Sequence, residues 1–99
     1  MRRPVIAGNW KMFKTRAETS AFFDALVPQI QNVGHCEIVV APTFTSLSTA
    51  VEAAKASRVV ISAQDVHWEK EGPFTGEVSV KMLVDVGCTY TIIGHSERR

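Results

Sequence analysis

Four short runs rich in β-branched residues constrain this chain most: Val5-Ile6-Ala7, Ile38-Val39-Val40-Ala41, Val59-Val60-Ile61-Ser62-Ala63 and Tyr90-Thr91-Ile92-Ile93. None alternates cleanly between apolar and polar residues. Continuous apolar runs of this length belong to strands covered on both faces, as in a parallel sheet. Parallel neighbours must be joined by long crossovers, usually helical. The stretches between the runs are therefore expected to carry helices, which places the chain in the α/β class.

Those stretches agree. Thr15-x-x-Glu18 has the spacing of a capping box and predicts a helix from about Arg16. Ala21, Phe22, Ala25, Leu26 and Ile30 form its packing face, Pro28 weakens its last turn, and Gly34 marks its stop. A second helix is expected within 44–57, with Leu47, Val51 and Ala54 inward and Thr43 or Thr45 as the cap. Ser79 then caps a third over Val80 to Val86, closed by Gly87. The order is strand-helix three times and a fourth strand, and right-handed crossovers make all four strands parallel.

The 65–78 stretch is charged, carries two Gly and a Pro, and reads as a long loop bearing Trp68 and Phe74. Loops of that length in compact domains are usually functional. Two exposed aromatics there predict a surface for a partner, or else a loop folded over its own domain.

Composition narrows the functional classes. Ninety-nine residues, 45% hydrophobic and 21% charged, suit one globular domain at most. A net charge of +1 gives no field for nucleic acid or an anionic membrane. No segment approaches the ~20 apolar residues needed to span a bilayer. The Val5-Ile6-Ala7 run is too short for a signal-peptide core, so a cytoplasmic protein is expected. Cys36 and Cys88 read as reduced thiols. No histidine or cysteine has a recurring ligand spacing, so no structural metal is expected. Phosphate-cradling glycine motifs and G-x-S-x-G are absent, which leaves nucleotide binding and serine hydrolysis without support.

In parallel α/β folds ligands bind at the carboxyl ends of the strands. The polar residues falling there are Asn9 and Lys11, Thr43, Gln64 and Asp65, and then His95, Ser96 and Glu97. Lys11 is either an anchor for an anion or a solvated charge. Asn9 either donates its amide to a developing negative oxygen or stabilises the turn after Gly8. His95 opens a first helical turn, where the dipole disfavours imidazolium and leaves a neutral donor or proton shuttle. Glu97 has the position of an acid that serves the same helix N-terminus.

Three motifs, "AGNWKM" at 7–12, "GPFTGEVS" at 72–79 and "IIGHSERR" at 92–99, resemble the triosephosphate isomerase family in order and spacing, and the resemblance extends over the whole chain. It implies a (β/α)8 barrel of ~250 residues, of which 1–99 would be the N-terminal half, an incomplete single domain with four parallel strands and three helices. It implies interconversion of dihydroxyacetone phosphate and D-glyceraldehyde 3-phosphate through an enediol, in glycolysis and gluconeogenesis, without a cofactor. By position, Asn9 and Lys11 resemble the substrate-binding pair and His95 the electrophile. Glu97 resembles the acid behind Lys11, and Ser96 its neighbour supporting the rim. This family is itself the standard case of a histidine kept neutral by a helix N-terminus, so the dipole and the resemblance imply the same neutral imidazole from one shared source.

The loop 65–79 resembles the family's dimerisation loop, with Thr75 at its tip and Glu77 facing an arginine equivalent to Arg98 of the other subunit. Asp65 and Pro73 depart from the family's usual Asn and Ala. The family's catalytic glutamate, lid and glycine-rich phosphate site have no counterpart in these residues, so the isolated chain is expected to be inactive. The competing reading is a non-catalytic half-barrel module that self-associates or pairs with a C-terminal half through open sheet edges.

Overall fold

The computed structural model describes residues 3–94 and 97. Its elements are β1 (Val5–Asn9), α1 (Arg16–Gln29), β2 (Glu37–Ala41), α2 (Leu47–Ala54), β3 (Val59–Ala63), α3 (Val80–Val86) and β4 (Tyr90–Thr91). The strands pair in parallel in the order β1-β2-β3-β4. Each strand lies beside its predecessor, so the sheet is singly wound like a barrel wall, without the strand-order reversal of doubly wound folds. β4 is shorter than the apolar run that announces it: only Tyr90 and Thr91 keep register, opposite Ser62 and Ala63.

The core forms where helices cover the middle of the sheet. Phe23, Val40, Leu47, Ala50, Ile61 and Leu83 are buried together. Ala50 and Ala54 are small enough to let α2 lie close to the sheet. β1 and β4 are different: they form the two edges of the sheet and all their residues are exposed, so the expected cover on both faces holds only for β2 and β3.

α1 begins as expected. The Thr15 hydroxyl accepts from the Glu18 N–H while the Glu18 carboxylate accepts from the Thr15 N–H. The Thr15 backbone N–H, and after it the Thr15 hydroxyl beside the carboxylate, hold the Glu18 carboxyl below its ordinary pKa. The packing face differs from the expected one: Ala21 and Ala25 are exposed, whereas Thr19 and Phe23 are buried. Thr19 can be buried because its hydroxyl donates to the Thr15 carbonyl at 2.7 Å, leaving only its methyl to pack. Phe23 belongs to an aromatic cluster with Phe22 and Trp10, centroids 5.0 to 6.1 Å apart.

The helix also runs through Pro28 and is capped at Ile30 rather than stopped by Gly34. Pro28 removes one N–H, and the Gln29 carboxamide donates to the Ala25 carbonyl nearby at 3.0 Å. A 3₁₀ turn, Phe44–Ser46, leads into α2, and the Thr43 hydroxyl meets that of Thr45 at 3.0 Å instead of capping the turn.

The third connection follows expectation. Ser79 accepts from the Met82 N–H, and Gly87 ends α3 at φ 96°. Cys36 and Cys88 are free thiols, and burial pushes the Cys88 thiol up. Far from the strand carboxyl ends, the Tyr90 hydroxyl donates to Glu37 Oε1 at 2.5 Å, tying β4 to β2 across the intervening β3. That hydrogen bond and the Glu37 charge raise the Tyr90 pKa.

Candidate functional site

A groove opens at the carboxyl ends of the strands, lined by Asn9, Lys11, Thr43, Gln64, Asp65 and Glu97 together with the apolar Met12 and Phe44. The parallel sheet brings these residues together, since each stands at or beyond the end of a strand and all strands end on the same side. Three expected site residues, Asn9, Lys11 and Glu97, therefore share one rim. His95, Ser96 and Arg98 lie outside the described residues.

Lys11 is held in an unusual way. Its φ is 54°, in the left-handed region that costs a non-glycine residue roughly 1 kcal/mol or more. Asn9 Oδ1 accepts from the Lys11 N–H at 2.9 Å, so the turn-forming role weighed for Asn9 is realised. Gln64 Nε2 donates to the Lys11 carbonyl at 2.9 Å. The Lys11 ammonium lies 3.3 Å from Glu97 Oε1, with both side chains about half exposed.

Lys14, three residues on, is also left-handed at φ 74°, and its carbonyl accepts from the Ser46 hydroxyl at 3.4 Å. Its ammonium sits 5.5 Å from the centroids of the Trp10 and Phe22 rings. The loop after β1 thus keeps two strained residues, each pinned through its carbonyl by a side chain from elsewhere in the fold.

A point charge at the mouth of a groove, balanced by a carboxylate and fixed by backbone hydrogen bonds, suits a small anion. Nothing near the groove among the described residues offers a metal-ligating cluster.

The loop between β3 and α3 carries the other expected positions. The His67 N–H donates to the Val78 carbonyl at 2.8 Å and closes the base of the loop. Trp68 is 84% exposed, but Phe74 turns back to place its ring 4.4 Å from that of His67. The Trp68 ring also stacks on His67, with centroids 4.3 Å apart, so both aromatics rest on the imidazole of their own loop while staying exposed, Trp68 the more so. Thr75 is exposed beside Gly76, and Glu77 Oε1 lies 3.8 Å from His67 Nδ1. No helix among the described residues is long and apolar enough to cross a membrane.

Two features escaped sequence reasoning. Gln64 was legible only as a polar residue at a strand end, and the Tyr90–Glu37 bond joins residues with no local signal between them.

Comparison with known proteins adds to this geometry. The family model described as "Triosephosphate isomerase" matches residues 4–99. A triosephosphate isomerase of Trichlorobacter lovleyi is 58% identical over the whole chain, which spans 39% of that relative. One from Solibacter usitatus is 56% identical, again over the whole chain, with 40% of the relative covered. The crystal structure of triosephosphate isomerase from Bartonella henselae superposes with a TM-score of 0.90 at 37% identity, over 99% of this chain and 40% of that one. The chain thus spans about two fifths of the length of the relatives it matches.

Proposed function

The chain belongs to the triosephosphate isomerase family, and from that premise we propose that the full-length protein carrying it interconverts dihydroxyacetone phosphate and D-glyceraldehyde 3-phosphate through an enediol. Its place would be cytoplasmic, in glycolysis and gluconeogenesis. The observation that carries this reading is the convergence of Asn9, Lys11 and Glu97 on one rim at the strand carboxyl ends.

In this reading Lys11 holds the substrate phosphate and offers positive charge to the oxygen that becomes negative as the enediolate forms. Asn9 orients the turn that presents Lys11. Glu97 keeps the ammonium extended over the groove, a task incompatible with also serving as the base. His95, with Ser96 beside it, polarises the carbonyl and shuttles the proton between the two oxygens. The carbon-bound proton needs a base within hydrogen-bonding reach, and the resemblance assigns that base to a glutamate beyond these residues. The 99 residues alone would accordingly be inactive.

The 65–79 loop, with Thr75 at its tip and Glu77 directed to Arg98 of another subunit, would join two copies into a homodimer. The outward Trp68 supports that surface.

Assay of the purified full-length protein in both directions tests the reading, with Lys11→Met and His95→Gln as controls. Isomerisation lost in both variants is expected; a folded wild-type protein without isomerase activity would overturn it.

A second reading rests on the bare edge strand. Val5 is 56% and Ile6 61% exposed, so the isolated chain would self-associate or pair with a C-terminal half.

A further inference from the structure

We infer that Gln64 is a positioning residue for Lys11, fixing the strained loop that carries the groove's cation. The inference rests on the proposed reading of the groove, because it assigns a further residue to the same anion site.

The carboxamide stands directly after β3 and its Nε2 faces two backbone oxygens, those of Lys11 and Ala41, at 2.9 Å each. An amide NH2 carries two donors, and both are used here. With two carbonyls as neighbours, the nitrogen must be the end that points at them. The Ala41 carbonyl also accepts from the Trp10 N–H at 3.1 Å. One side chain therefore stitches the ends of β2 and β3 to the loop after β1.

The position of Lys11 explains why that stitch matters. A residue at φ 54° relaxes toward negative φ unless its surroundings forbid it. Asn9 holds the N–H side of Lys11, and Gln64 holds its carbonyl side. Without the second tether the backbone can swing, and the ammonium, on a four-carbon stem, leaves the groove. Gln64 touches no substrate in this account and acts only through Lys11.

The test uses the full-length protein and two readouts: affinity for inorganic phosphate by calorimetry, and steady-state kinetics with triose phosphate. Gln64→Leu removes both donors at similar volume, and Gln64→Glu places a carboxylate oxygen against the two carbonyls. Either variant should weaken phosphate binding about tenfold, the size expected for losing two net hydrogen bonds. KM should rise more than kcat falls. In a Lys11→Met background the same Gln64 substitutions should change phosphate affinity less than twofold, because the residue they act through is gone.

Phosphate affinity within twofold of wild type in both single variants would overturn the inference. So would an undiminished loss in the Lys11→Met background, or variants too unstable to purify, which would assign Gln64 to the fold. Phosphate binding is read apart from turnover. A wild-type protein that binds phosphate without isomerising would sink the isomerase reading and leave the Gln64 result interpretable.

Discussion

Lys11 and Glu97 come from opposite ends of the chain, yet their Nζ and Oε1 atoms lie 3.3 Å apart at the carboxyl rim of the sheet. The pair is too exposed to matter much for stability, where such contacts are worth about 0–1 kcal/mol. In the proposed reading, its value is in keeping a flexible ammonium over the groove. Glu97→Gln in the full-length protein should leave the thermal midpoint nearly unchanged and lower kcat/KM about tenfold or more. A matched fall in both would reassign Glu97 to the fold.

The sole tyrosine gives a clean titration. Tyr90 donates to Glu37, and its phenol pKa is raised in the folded state. A raised folded pKa means stability that is fully present below the unfolded value of about 10 and lost as pH rises through the folded value. Phenolate absorbance should therefore appear above pH ~10 in the native protein and nearer 10 after denaturation. Tyr90→Phe should flatten the alkaline branch of the stability curve; an unaltered branch would count against the bond.

Gly87 is required by two constraints at once. Its φ is 96°, and a Cβ there would stand 2.8 Å from Val51 Cγ1. Gly87→Ala should destabilise by about 2 kcal/mol, through left-handed strain and displacement of Val51. Denaturant unfolding reads this directly, and a loss under about 0.5 kcal/mol would show that α3 can end another way.

The edge strand predicts the behaviour of the chain on its own. Sedimentation of the 10.9 kDa chain at rising concentration should show species heavier than the monomer. Val5→Lys on β1 should reduce the association. A monomer at every concentration would remove the self-association reading.

Much of the fold was legible because its signals are local. Continuous apolar runs mark the strands, though only β2 and β3 are buried as the runs predict, a Thr-x-x-Glu spacing satisfies free N–H groups at a helix start, and a glycine after Val86 supplies the left-handed closure. Those elements occur where the pattern puts them. The strand-end rule also gathered Asn9, Lys11, Gln64 and Glu97 on one side, since parallel strands all end together.

Tertiary contacts decided the rest. The buried face of α1 shifted to Thr19 and Phe23 because a hydroxyl can satisfy itself on its own helix, and because Trp10 of the preceding loop packs there. Pro28 stayed inside the helix, where sequence spacing alone predicted weakening. Gln64 bridges 53 residues to Lys11, and Tyr90 bridges 53 to Glu37. Hydrogen bonds over such separations leave no periodic trace, because they depend on where the sheet sets its strand ends. Residue types and spacing therefore determined the elements and the rim they share, while the pinning of Lys11 in a strained backbone state arose only when the sheet brought three strand ends together.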